Sequence, residues 1–365
     1  MSIIDRFFKK NPTPDNPYRE FWNWFLVNEK KFFKIVKDGE NIDKDFFAIL
    51  SPKLEVLHKG IYFLSGMYDD DTAELILTAD GIVKNIVFIE ELVSAAPEIK
   101  NWKITALKQA VDMEEWQIGI EELIINSPSL SFFPDEYPQY PDEIAITIVY
   151  EDYSAEEHGT IVSGIYMYLD NLLGELNAGV QLDQIKIQGP SPNHPELIPI
   201  AKLPAYLNWR EKEFIEKYES SEVPEDDIPL TTLQATGENE MPLIASINLP
   251  LLEWDTKPSY PWILRIEIQY NGQLNEGLPS ESDFEILNEL EDTLLDQLLA
   301  DEICLYIGRQ VGTNMCEFYF TCKNFREPSK KIHSFSPEIE KNFKFEYFIY
   351  RDKYWRSFEH FRVAL

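Results

Sequence analysis

The sequence predicts an α+β fold in two domains. Segments with apolar residues at helical spacing alternate with short runs in which every second residue is apolar. Residues 219–257 interrupt this pattern with an acidic, proline-rich stretch of little periodicity, which reads as a linker. Beyond it, residues 258–365 follow the order β-α-β-β-α-β. That order predicts a ferredoxin-like sandwich, one antiparallel sheet with two helices on one face. Residues 1–218 predict a mixed helix/antiparallel-sheet domain, divisible into two submodules near residues 110–142.

The N-terminal domain opens with a helix over Tyr18–Lys37. Phe21, Trp24, Phe25, Phe32, Ile35 and Val36 share one face, and Lys30, Lys31, Lys34 and Lys37 lie mostly on the other. That pattern fits a helix packed on a sheet better than one lying on an anionic membrane. A second helix is expected over Lys44–Leu57. Ile61–Tyr68 and Ala73–Asp80 read as strands around the polar turn Asp69-Asp70-Asp71, with turn chemistry again at Thr78-Ala79-Asp80-Gly81. A helix near Ile86–Ala96, halted by Pro97, precedes a strand Trp102–Lys108. Residues 114–133 satisfy helix and strand patterns alike. Ile144–Tyr150 alternates as a strand. Glu157–Leu176 carries a helical stripe of Ile161, Ile165, Tyr168, Leu169, Leu172 and Leu176, with Gly179 as its stop. Leu182–Ile187 returns as a strand and Tyr206–Tyr218 as a helix.

In the second domain Trp262–Tyr270 is a strand. Ser282, with Glu285 three residues on, predicts a capped helix that buries Ile286, Leu287, Leu290, Leu294 and Leu298. Glu302–Arg309 and Met315–Thr321 form a hairpin around Gly312-Thr313-Asn314. A helix within Ser329–Lys341, a strand Phe343–Tyr350 and a terminal helix Tyr354–Phe361 complete it.

These residues carry a resemblance. Pro258-Ser259-Tyr260-Pro261-Trp262, a strand ending at Tyr270, then Gly277-Leu278-Pro279 before an acidic helix resemble the bacterial domain-of-unknown-function 695 family. The likeness continues through the hairpin at Arg309–Thr321 to Phe348-Ile349-Tyr350-Arg351-Asp352 and Trp355, so it spans about Leu252–Phe361. The N-terminal half, with Leu75-Ile76-Leu77-Thr78-Ala79-Asp80-Gly81 and Asn101-Trp102, looks like a segment found beside that domain. The resemblance implies regulation through protein binding and transfers no catalytic residue.

Charge narrows the partners. The net charge is −31, and Gln109 to Ile185 holds sixteen Asp and Glu residues without one Lys or Arg. From Lys323 to Leu365 ten bases face six acids. Such a field repels nucleic acid and anionic lipid and attracts basic proteins or cations. A basic protein partner is therefore expected, with no nucleic-acid or membrane binding. The sequence sets no oligomeric state. No apolar run reaches the ~18–20 residues of a membrane span. The start, MSIIDRFFKKNP, lacks the features of a secretory signal, so a cytoplasmic location is expected. Cys304, Cys316 and Cys322 read as buried free thiols.

No reaction can be named from the sequence. Phosphate-binding, dinucleotide, zinc-protease and nucleophile-elbow motifs are all missing, and the five histidines are scattered. No catalytic, cofactor-binding or metal-ligating residue is assigned, and no cofactor is expected. Asp152, Glu156, Glu157 and His158 read as a solvated helix entry, and Asp69-Asp70-Asp71 as a hairpin tip. The acid pairs Glu114-Glu115, Glu121-Glu122, Asp135-Glu136 and Asp142-Glu143 are interleaved with Trp116, Phe132, Phe133, Tyr137 and Tyr140. Aromatics supply contact area and carboxylates steer a basic partner, which makes this stretch an interaction candidate. An acidic loop pinned over a domain junction by its prolines is the plainer reading. Asp352 and Trp355 are candidates for lining a small pocket, or else cap and pack the last helix. The expected function is a non-catalytic, cytoplasmic binding or regulatory protein. The alternatives are a metal-assisted hydrolase using clustered carboxylates and an immunity-type inhibitor of a basic toxin or nuclease.

Overall fold

In the computed structural model, which describes residues 16–113, 116–219, 224, 230–237 and 240–362, helix and strand are mixed throughout. The chain divides into compact units within Asn11–Phe214 and Ile215–Leu365.

The first unit opens with α1 (Pro17–Asp38). Asn16 caps it by accepting from the Tyr18 N–H, and Gly39 ends it in the left-handed region at φ 70°. Its buried tryptophan is Trp22, whose indole N–H donates to the Leu92 carbonyl at 2.7 Å; Trp24 is only half-buried. A π-helical turn, Asp43–Phe47, leads into α2 (Ala48–Leu57). Strands β1 (Tyr62–Met67), β2 (Ala73–Thr78) and β3 (Trp102–Ala106) make a sheet in that order, with α3 (Ile86–Ser94) linking β2 to β3. Phe25 packs edge-on to Trp102 at 5.1 Å, and Phe32 lies 4.8 Å from Phe46.

The ambiguous stretch is strand: β4 (Gln117–Ile120) and β5 (Leu123–Asn126) form a hairpin, and β6 (Leu130–Asp135) joins a second sheet. That sheet runs β8 (Gln184–Gln188), β7 (Ala145–Tyr150), β6, β9 (Ile198–Pro199). Between β7 and β8 come α4 (His158–Leu173) and α5 (Glu175–Val180), and α6 (Leu203–Tyr218) follows β9. Ile146, Ile148, Ile161, Ile165 and Tyr168, each fully buried, centre one core cluster. Two strand pairs, β2/β3 and β7/β8, are parallel, so the expected antiparallel unit is a mixed one. Each parallel pair is joined by a helical crossover, the connection that such pairing needs.

In the second unit, β12 (Trp262–Gln269), α8 (Glu281–Leu298), β13 (Cys304–Gly312), β14 (Met315–Cys322), α9 (Arg326–Ile339) and β15 (Lys344–Arg351) follow one another. The cap of α8 is Ser280, not Ser282. Ser280 has the extended backbone of an N-cap, and its hydroxyl accepts from Asp283 N–H at 3.1 Å. Thr313 and Asn314 turn the β13–β14 hairpin with both φ angles positive, 50° and 65°.

The sheet is longer than expected. Residues 231–236 and 242–247, within the stretch read as linker, form β10 (Thr231–Thr236) and β11 (Pro242–Ile247). The antiparallel order is β10-β11-β13-β14-β12-β15. Thr-Thr-Leu-Gln-Ala-Thr in β10 is too polar to read as a strand alone, but a sheet-edge strand need not be apolar. The core on one side joins Ile263, Leu305 and Tyr319 to Leu251 of α7 (Leu249–Leu252) and to Phe361 of α10 (Glu359–Arg362).

Cys304, Cys316 and Cys322 are buried and free, and the sulfurs of Cys304 and Cys322, opposite each other on β13 and β14, lie 3.0 Å apart. Among the described residues, no helix is long and apolar enough to cross a membrane.

Candidate functional site

Gly174 makes the site possible. The apolar stripe of α4 predicts a continuous helix through Leu176, yet the helix stops at Leu173 because Gly174 swings to φ 75°. A β-carbon there would meet the Ala110 backbone nitrogen at 2.8 Å, so only glycine fits the close approach. The next residue, Glu175, is turned inward and is 2% exposed.

Its carboxylate accepts four hydrogen bonds: from Thr78 Oγ1 at 2.6 Å, Ala79 N at 2.9 Å, Lys108 N at 3.1 Å and Gly81 N at 3.3 Å. Glu175 N in turn donates to the Lys108 carbonyl at 2.9 Å. This density of donors offsets the cost of taking a carboxylate out of water. Three of the four donors come from a tight turn in which Asp80 (φ 50°) and Gly81 (φ 80°) are both left-handed, closed by Ile82 N to Ala79 O at 3.1 Å. Leu107, immediately before Lys108, sits at φ 61°, a costly conformation for a bulky side chain.

Beside this node is a cavity of about 290 Å³ lined by Asp80, Tyr166, Met167, Asp170, Glu175 and Leu182 among others. Lys108 extends its ammonium to Asp170 at 3.2 Å and Asp80 at 3.5 Å. Burial pulls the Lys108 ammonium toward neutrality, but the carboxylates of Asp170, Glu175 and Asp80 outweigh it and raise it above the ordinary lysine value. Three carboxylates against one ammonium leave two net negative charges here. Tyr166 and Met167, 49% and 51% exposed, give the cavity an apolar wall.

The structure disperses the residues singled out from sequence. Trp116 is 67% exposed, whereas Phe132 is wholly buried and Phe133 packs on the His194 ring at 5.5 Å. Phe132 therefore presents nothing to a partner. Tyr137 and Tyr140 are half-buried, and the Tyr137 hydroxyl accepts from Lys186 Nζ at 2.7 Å. Of the acid pairs, Glu121-Glu122 is the exposed hairpin turn, Glu114-Glu115 lies outside the described residues, and Asp142 and Glu143 are buried. Glu143 accepts from Gln184 Nε2 at 3.0 Å, and Asp135 from Thr147 Oγ1 at 2.8 Å. Asp135 thus ties β6 to β7, and Glu143 ties the end of the 136–144 loop to β8. Asp352 caps the last turn by accepting from Ser357 N and Oγ, each at 2.8 Å, and from Arg356 N at 3.0 Å. Trp355 is 2% exposed and donates to the Tyr260 carbonyl at 2.9 Å. Packing accounts for both.

Glu175 and Lys108 were not visible as a pair in the sequence. Glu175 is one acid of sixteen in a base-free stretch, and Lys108 is the residue just before that stretch begins. Among the described residues, no group of three or more His, Cys, Asp or Glu side chains is arranged to hold a metal ion.

No curated protein and no solved structure matches the chain. Residues 234–362, the C-terminal third, match the model of DUF695, a family of unknown function.

Proposed function

We propose that the protein is a non-catalytic, cytoplasmic binding protein that takes a Lys or Arg side chain of a basic protein partner into the Asp80–Asp170–Glu175 cavity. The observation that carries this reading is Lys108. A lysine of the chain itself already sits between two of those carboxylates, Asp80 and Asp170, which outnumber it. At about 290 Å³ the cavity is just below the ~300–1,000 Å³ of drug-sized sites and suits one long side chain, its stem on Tyr166 and Met167. The strained Leu107 backbone is the kind of cost that folds carry at working sites. We read Trp262–Arg351 as a ferredoxin-like sandwich extended by β10 and β11. The antiparallel order β13-β14-β12-β15, with a helix after β12 and after β14, supports that reading.

The test is affinity capture from a lysate at low and high salt, with the wild-type chain and the Asp80→Asn/Asp170→Asn variant side by side. A basic partner lost in high salt and lost with the double variant is expected. A partner held equally by the variant, or none that is salt-sensitive, refutes the reading.

A further inference from the structure

We propose that two copies of this chain pair through antiparallel β1 strands, joining their three-stranded sheets into one. β1 reads Tyr-Phe-Leu-Ser-Gly-Met and is the edge strand of its sheet among the described residues. Edge strands are ordinarily protected by charges, prolines or bulges. This one has no charged residue and no proline, and its register with β2 is unbroken, in a chain that is 27% charged. Tyr62, Leu64 and Tyr68 point to one face and are 51%, 50% and 59% exposed.

The register of a self-pairing follows from the backbone. Tyr68 N donates to Thr72 O at 2.8 Å, so even-numbered residues of β1 direct their backbone groups toward β2. Phe63, Ser65 and Met67 therefore present N–H and C=O to the open side. An antiparallel copy centred on Leu64 lets Phe63 exchange both hydrogen bonds with Ser65 of the second copy. Leu64 then meets Leu64, and Tyr62 lies across from Gly66. Gly66 is the vacancy such a ring fills: a β-carbon there would meet nothing within 4 Å. Past the strand ends, the exposed Lys59 in the turn before β1 and the exposed Asp69 of the second copy, in the bend after it, come to the same rim of the pair, twice by symmetry. Apolar contact at the axis, aromatic against glycine, and opposite charges at the rim all agree on one alignment.

Sedimentation velocity of the full chain across about 1–100 µM tests this, because a self-pairing shifts with concentration. The wild type should move from monomer to dimer. Leu64→Asp, placing like charges face to face at the axis, should leave monomer at every concentration. Lys59→Asp should weaken the dimer by about tenfold in Kd, and Lys59→Asp with Asp69→Lys should restore it. Leu64→Cys gives a reading independent of folding effects. Non-hydrogen-bonded partners lie ~4.5 Å apart at Cα, within the ~4.4–6.8 Å that a disulfide spans. Oxidised glutathione should then link two copies, two thiols losing their hydrogens as it is reduced to two glutathiones. A wild type that stays monomeric, a dimer that survives Leu64→Asp, a charge swap that fails to restore, or the absence of a cross-link would each overturn the pairing. So would capture of a different protein along β1 by a chain that is itself monomeric.

Discussion

Replacing Glu175 with alanine should cost the first unit about 3–5 kcal/mol, the range for breaking a buried charged network by removing one partner. Four donors lose their acceptor at once: the Thr78 hydroxyl and the N–H groups of Ala79, Gly81 and Lys108, at 2.6, 2.9, 3.3 and 3.1 Å. At ~1.5–3 kcal/mol per bond to a charged acceptor, a simple sum would exceed the whole stability of many domains. Two offsets reduce it. The variant no longer has to desolvate a carboxylate, and water reaches the Gly81 and Lys108 groups, which are only partly buried. Glu175→Gln should fall between wild type and alanine, because one oxygen still accepts from Ala79 and Gly81 while the amide N–H₂ opposes the Lys108 N–H. Scanning calorimetry of the full chain is the assay. For a body of this size ~1 kcal/mol corresponds to ~2–4 °C, so the alanine variant should melt about 6–20 °C lower. A shift of less than about 2 °C would refute the idea that this carboxylate holds the unit together.

Gly174→Ala should destabilise by about 1–3 kcal/mol in urea unfolding, because the left-handed backbone at φ 75° and the Ala110 nitrogen both oppose a β-carbon. Lys108→Met removes the cation that pairs with Asp80 and Asp170 and should tighten binding of a captured basic partner, with a steeper salt dependence, measured by calorimetric titration. Burial, helped by Glu291 at Tyr306 and Glu317 at Tyr319, pushes the phenols of Tyr306, Tyr319 and Tyr347 well above the usual tyrosine range. The unfolded chain ionises them above about pH 10, so this contribution is complete below that pH and is lost as pH rises toward the folded values. The loss is about 1.4 kcal/mol per pH unit for each, about 4 for the three together. The share of phenolate absorbance that belongs to these three should therefore appear in one cooperative step together with unfolding, and its gradual appearance from about pH 10 with the fold intact would contradict the reasoning. Trp355→Ala should cost ~3–5 kcal/mol as a buried tryptophan, while Trp116→Ala, 67% exposed, should leave the melting temperature unchanged.

Long apolar stripes made much of this fold legible. α1, α4 and α8 lie within a few residues of where Phe21, Ile161 and Leu287 repeat, because burial on one face fixes the spacing. What stayed hidden depends on partners distant in the chain. The parallel pairing of β2 with β3 is decided by where the chain crosses, not by either strand's composition. β10 and β11 form because β13 offers an edge, which no local pattern reveals. The left-handed turn at Gly174 looks like any glycine until Ala110 is placed beside it. Direction is lost as well: Phe132 and Trp116 have similar neighbours in sequence, yet one lies in the core and the other in solvent. The candidate site suffered most, since Glu175 acquires its meaning from Lys108 N and from donors on a turn nearly a hundred positions earlier.

The two strands that precede the expected domain start have a practical side for anyone trimming this protein. On β13, Gly308 and Gly312 take φ angles of 141° and 148°, and β-carbons there would fall 2.1 Å from Ser246 O and 2.4 Å from Pro242 O. Those glycines are shaped to β11, so a fragment begun at Pro258 discards the surface they were fitted to and bares a long, sticky margin. Cloning boundaries for the C-terminal third belong upstream of Thr231, a little ahead of where the family similarity itself begins at residue 234.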